Sequence, residues 1–170
     1  LISPSKEEIK LTPTALDKKY QAFFTPDEDG VYTVVMQHTV KDVYGTMKLD
    51  YNSSANVVVG NKTAGNTAEA NKNTIGLFSE NADVAKKNTK ITGIASYEGV
   101  AAKKQKIKVI APNGWEKELY TDEKGQFDFT PIWSGQYMVE FAHTEKSGGE
   151  HNGKKYDEIW KMATFAIQVK

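Results

Sequence analysis

The sequence predicts an all-β protein built as two tandem antiparallel β-sandwich domains, the first lacking its N-terminal strand or strands. Three observations lead there. Apolar and polar residues alternate with period two in segment after segment. Helical spacing is scarce, confined to 68–73 and 82–87, where a short helical turn would fit. One stretch of the chain also repeats itself.

The strands are read in order from their faces. Gly30 opens Val31–His38, with Tyr32, Val34 and Met36 on one side. Ile75-Gly76-Leu77-Phe78 is a short apolar run suited to a first strand after a linker. Strands are predicted around Ile91–Tyr97 and 105–110, where Ile107 and Val109 alternate with Lys106 and Lys108. Phe127 and Phe129 flank Asp128. Gly135 opens a second long strand with Tyr137, Val139 and Phe141 on one face, and Phe165, Ile167 and Val169 give the last. Runs of this kind, bounded by Gly, Asn, Asp and Pro, are half-buried antiparallel strands.

Laid over one another at a constant offset of 105, residues 17–39 and 122–144 are identical at 11 of 23 positions. The shared residues include Phe24/Phe129, Thr25/Thr130, Pro26/Pro131, Gly30/Gly135, Tyr32/Tyr137, Val34/Val139 and His38/His143. With a three-residue shift the match extends upstream, Leu1-Ile2-Ser3-Pro4 onto Val109-Ile110-Ala111-Pro112. Each repeated residue has a scaffold role. Asp122 and Gly125 suit a turn, Thr-Pro ends a strand, and Gly-x-Tyr suits a tyrosine corner whose hydroxyl meets nearby backbone.

The organisation predicted is a truncated first sandwich at 1–60, a linker at 61–74 rich in Asn, Gly, Ala, Thr and Lys, and a second sandwich at 75–170. The first copy has no counterpart of the strands that precede Val109 in the second. About 20 residues, one or two strands, are expected ahead of Leu1 to close its edge. Failing that, a partner strand or a homo-oligomer would fill the gap. The chain begins without Met and shows no signal-peptide pattern.

Composition narrows the function classes. Lys+Arg and Asp+Glu are both 22, so the formal net charge is zero, and all the cations are Lys. A nucleic-acid binder needs a basic face to displace counterions, and without Arg there is no bidentate fork for phosphate. Cys is absent, which excludes disulfides, thiolate metal sites and a Cys nucleophile. No apolar run approaches the ~18 residues a membrane span needs. No Ser-His-Asp spacing, nucleophile elbow, phosphate loop or dinucleotide fingerprint occurs, and no catalytic residue is assigned.

The least ordinary polar cluster is His143-Thr144-Glu145 followed by Glu150-His151 across the Gly-rich stretch Ser147-Gly148-Gly149. Imidazole and carboxylate suit nickel, cobalt, zinc or copper, so His143, Glu145 and His151 are the candidate metal ligands. The competing reading makes His143 a half-buried rim residue continuing the Tyr137-Val139-Phe141 face, and His151 a solvated loop residue. Trp115 and Trp133 sit in predicted loops, where aromatic rings can form a sugar-stacking platform or cover the end of a core.

The segments Thr121–Phe127 and Gly135-Gln136-Tyr137 resemble prealbumin-like modules of bacterial surface and periplasmic proteins. With Ala111–Trp115, Val139–His143 and 153–157, the chain is similar to a bacterial periplasmic family with prealbumin-like or Ig-like repeats, some of whose members accompany nickel and cobalt uptake transporters. The resemblance implies export to the periplasm or cell surface, a two-sandwich build and no catalysis. It implies an accessory role in divalent metal uptake beside a membrane transporter component. Of its motifs, the one that matches carries over only His143. The alternative is a structural, adhesive or carbohydrate-binding sandwich module.

Overall fold

A computed structural model describes every residue except 62, 63, 66, 68, 69 and 81–84. The described residues form an all-β protein with several sheets. The expected turns at 68–73 and 82–87 fall partly outside them. No helix among the described residues is long and apolar enough to cross a membrane.

The largest sheet has six strands. Its members are β3 (Gly30–Thr39), β4 (Met47–Val59), β14 (Glu158–Val169), β11 (Gly135–Glu145), β8 (Lys106–Ile110) and β9 (Glu116–Tyr120), in that spatial order. A second sheet runs β10 (Gln126–Phe129), β6 (Ile91–Tyr97), β5 (Ile75–Phe78), with β7 (Val100–Ala101) paired to β6. Two hairpins stand apart: β1 (Thr14–Leu16) with β2 (Lys19–Gln21), and β12 (Gly149–His151) with β13 (Lys154–Tyr156).

Period-two alternation explains the core. Ile107 and Val109 of β8, Tyr137, Val139 and Phe141 of β11, and Ala163, Phe165, Ile167 and Val169 of β14 are all buried. They face Ile75, Leu77, Ile91 and Ala95 of the smaller sheet, with Phe127 and Phe129 of β10, in one apolar cluster. Two sheets thus enclose one core, as in a sandwich. Gly93 leaves the space that Phe127 fills: a Cβ there would come within 2.2 Å of the Phe127 ring.

The repeat seen in the sequence is present in three dimensions. Ile2 bridges Thr33, and Ile110 pairs with Met138 in the corresponding place. Ile2 also bridges Glu8, as Ile110 pairs with Glu116. The turns between them match: Ser3 N donates to Glu7 O at 2.9 Å, and Ala111 N to Trp115 O at 2.8 Å. Lys6 (φ 71°) even takes the left-handed conformation that Gly114 (φ 83°) holds in the second copy. The corner tyrosines are both buried. The Tyr32 hydroxyl accepts from Asp27 N and Glu28 N, each at 3.2 Å, and that of Tyr137 accepts from Trp133 N at 3.1 Å.

The copies join through their last strands. Val57 stands opposite Tyr32 as Ile167 stands opposite Tyr137, so β4 is the counterpart of β14. These two strands lie side by side and parallel, with Asn52 beside Ala163 and Ser54 beside Phe165. Because strand side chains alternate between faces, Asn52 and Ser54 point to the same side as the second copy's core. Val57 points the other way. The apolar faces of the two copies therefore look out from opposite sides of one sheet.

Sequence reasoning passed over β4. Its central stretch Asn52-Ser53-Ser54 is polar because it forms the seam: Ser53 Oγ and Thr164 Oγ1 are 2.7 Å apart, and Asn71 Nδ2 donates to Ser54 Oγ at 3.2 Å.

Candidate functional site

The sandwich ends at a polar rim where β6 and β11 finish and β14 begins. His143 and Glu145 lie on the face of β11 that carries Tyr137, Val139 and Phe141 further in, and they are half-buried. The His143 ring lies against the Tyr97 ring, centroids 4.3 Å apart and tilted by 42°. Tyr97 donates its hydroxyl hydrogen to Glu145 Oε2 at 2.8 Å. Lys161, opposite His143 on β14, donates to the same carboxylate oxygen at 2.6 Å and to the Tyr97 hydroxyl at 3.2 Å. Its ammonium also sits 5.2 Å from the Tyr97 ring centroid, within cation–π range.

This arrangement sets the charges. The Lys161 hydrogen bond, then that from Tyr97, holds the Glu145 carboxyl below its ordinary range against a small opposing effect of burial. Burial pulls Lys161 down, but its bonds to Glu145 and Tyr97 outweigh this and leave it raised. Burial, then the bond to Glu145, raises Tyr97. The result is a compact ion pair with an aromatic lid, tying the end of the smaller sheet to the larger one.

The third candidate ligand is elsewhere. His151 ends β12, in a hairpin whose two-residue turn Asn152-Gly153 has both φ angles positive (49° and 78°). That is the geometry of a type I′ turn, which Asn-Gly favours. Sequence reading took the stretch as a Gly-rich loop, although the Asn-Gly pair was a usable hairpin signal. His151 Nε2 lies 3.1 Å from Val40 O, and Asn152 Nδ2 donates to Lys41 O at 2.8 Å, so the hairpin is fastened to the first copy. Among the described residues, no group of three or more His, Cys, Asp or Glu converges in a way that would hold a metal ion. His143 and Glu145 are brought together; His151 is not brought to them.

Tyr97 and Lys161 were missed as members of the rim cluster. They lie 64 positions apart and meet only because the smaller sheet packs against the larger one.

A second candidate lies at the opposite end of the same sandwich. The Pro112-Asn113-Gly114 turn, with Gly114 at φ 83° and Trp115 N bonded to Asn113 Oδ1 at 3.1 Å, presents Trp115. Trp133 is placed by its own amide, which donates to the buried Tyr137 hydroxyl. The two indoles are 5.9 Å apart and inclined by 58°. They wall a cleft of about 210 Å³ with Lys117, Ile132 and the edges of Phe129 and Tyr137. Trp115 is 48% exposed and Ile132 55%, so the cleft opens to solvent. Trp160 lies on the other sheet face, edge-on to Tyr51 at 5.4 Å.

Compared with protein families, curated proteins and solved structures, the chain has no significant match.

Proposed function

We propose that the chain is a non-catalytic binding module of an exported bacterial protein, periplasmic or cell-surface, composed of two prealbumin-like or Ig-like sandwiches. Residues 1–60 are the open copy, 61–74 the connection and 75–170 the closed copy. The ligand we assign is a carbohydrate ring, taken by the Trp115–Trp133 cleft. The observation that carries this is the pair of inclined indoles at an open sandwich end, one half exposed and the other anchored by a buried tyrosine. Indole faces pack against the apolar face of a sugar ring, and Lys117 supplies a donor at the cleft wall. Titration with soluble oligosaccharides of glucose, xylose and N-acetylglucosamine, followed by Trp fluorescence, tests it. Saturable quenching that Trp115→Ala weakens at least tenfold supports the reading; no spectral change at millimolar sugar removes it.

A second reading, a divalent-metal accessory protein serving a membrane transporter, draws support from His143 and Glu145 sharing one face two residues apart. A nickel, cobalt or zinc ion there would have to displace Lys161 from Glu145, and His151 would have to leave Val40. Calorimetric titration with nickel decides it: heat that His143→Ala abolishes supports the metal, and an absence of heat excludes it.

A further inference from the structure

The side of β3 and β4 that shares its face with the second copy's core is polar toward the rim. Strand register sets Thr39, Asp50 and Lys161 side by side in one row, and Gln37, Asn52 and Ala163 in the next. Laterally paired residues share a face of the sheet. The smaller sheet reaches this seam at Ser54, where Asn71 Nδ2 donates to Ser54 Oγ and to Leu77 O, each at 3.2 Å. Further along β4, Asn52 and Asp50 line a pocket of about 160 Å³ together with Gln37, Thr39, Thr74 and Lys161. Thr74 stands at the entry to β5, and its carbonyl accepts from Glu98 N at 2.7 Å, which fixes that wall.

Asn52 sets the requirement. It is 7% exposed, and its side chain makes one hydrogen bond among the described residues, Nδ2 to Met162 O at 3.5 Å, longer than a good N–H···O bond. Its Oδ1 has no partner among them. A buried amide so poorly satisfied costs free energy unless something in the pocket bonds to it. Gln37, opposite Asn52 on β3, lines the pocket with a second amide that has no partner among the described residues.

The charged groups are already paired. Asp50 Oδ1 accepts from Thr39 Oγ1 at 2.7 Å and Oδ2 from Lys48 Nζ at 3.2 Å. Lys161 gives two of its three N–H groups to Glu145 and Tyr97. What remains is neutral hydrogen-bonding capacity: two amides that both donate and accept, spare carboxylate lone pairs, threonine hydroxyls and one ammonium N–H. Adjacent ring hydroxyls, each a donor and an acceptor, match that set. A free anion would meet Asp50, and a free cation would meet Lys161.

We propose that this pocket binds one neutral polyhydroxylated ring, a monosaccharide, with Asn52 and Gln37 bonding neighbouring hydroxyls and Asp50 accepting from one of them. Its volume is below the roughly 300 Å³ at which sites for drug-sized ligands begin, which suits a single ring rather than a chain. The site is at the rim end, away from the Trp115–Trp133 cleft, and rests on neither that cleft nor the metal reading.

The test is a ¹H–¹⁵N NMR titration of residues 1–170 with glucose, galactose, mannose and N-acetylglucosamine, beside glycine and inorganic phosphate. Saturable millimolar shifts of the Asn52 and Gln37 side-chain amides with at least one sugar support the proposal. Gln37→Ala, at an exposed position whose side chain holds nothing in the fold, should weaken that binding about fivefold, as loss of one hydrogen bond does, with Tm unchanged. Trp115→Ala should leave the shifts as they are. Silence with all four sugars overturns the proposal, as do shifts with glycine or phosphate alone, which would mark a site for a charged ligand. Affinity that Gln37→Ala leaves unchanged, or shifts that Trp115→Ala removes, overturn it too.

Discussion

Gly30 lies so close to Pro4 that a Cβ built on it would come within 2.6 Å of the proline Cβ. Gly135 stands in the same relation to Pro112, at 2.8 Å, and both glycines hold positive φ angles (146° and 126°). The contact packs each corner strand against the strand-ending proline of its own copy. Gly135→Ala would meet both the clash and the strained dihedral. The expected cost is about 1–3 kcal/mol, read as a lowered denaturant midpoint with unchanged slope. An unaltered midpoint would show that the corner is not as close as described.

The corner hydroxyls differ in how much they hold. The Tyr137 hydroxyl accepts one amide, while that of Tyr32 accepts two and donates to Asp27 Oδ1 at 3.0 Å. Tyr137→Phe is expected to cost about 1 kcal/mol, and Tyr32→Phe more, in urea unfolding followed by fluorescence. The reverse ranking would contradict the assigned partners.

The rim ion pair makes stability depend on pH in a definite direction. The folded state holds the Glu145 carboxyl below its ordinary range, chiefly through the Lys161 bond. The folded state therefore favours the ionised form. Its contribution is fully present above the unfolded value of about 4.3 and is lost as pH falls through the lower folded value. The carboxylate is 33% exposed, so the effect is modest and weakened by salt. The Tm difference between wild type and Glu145→Gln is expected to be largest near pH ~7 and to shrink below pH ~4. A difference that stays constant over that range would mean the pair contributes nothing through ionisation.

Truncating equivalent residues should expose the asymmetry of the copies in residues 1–170. Phe141 is 1% exposed and fully enclosed. Phe141→Ala is expected to cost about 3–5 kcal/mol through lost burial and the cavity left behind. Met36→Ala, at the matching position but 47% exposed, is expected to cost less than about 1 kcal/mol. Similar losses at both sites in calorimetric unfolding would show that the first copy's face is covered.

What the sequence made legible follows from where the packing is local and periodic. Ile75–Phe78 and Ile91–Tyr97 were read with their observed limits because the first is a short apolar run and the second alternates with period two. The repeat alone places both corners, at Gly30-Val31-Tyr32 and Gly135-Gln136-Tyr137. The seam strand Met47–Val59 was invisible, because a strand paired on both sides and polar at Asn52, Ser53 and Ser54 has no clean alternation. Of the rim site, His143 and Glu145 were identified from their shared strand. Tyr97 and Lys161 were not, since partners from other strands are chosen by sheet packing rather than by spacing. His151 was grouped with them by nearness in sequence, but the Asn152-Gly153 turn directs it to Val40.

The central claim is that one fold occurs twice in this chain, closed in the second copy and open in the first. Hydroxyl-radical footprinting of residues 1–170, read by mass spectrometry, tests it most directly through side chains on the apolar faces of the two copies. Tyr20 and Met36, 77% and 47% exposed, should label rapidly, while Phe129 and Phe141, at 5% and 1%, stay protected until the protein unfolds. Protection of Tyr20 and Met36 to the level of Phe129 and Phe141 in the monomer would contradict the account.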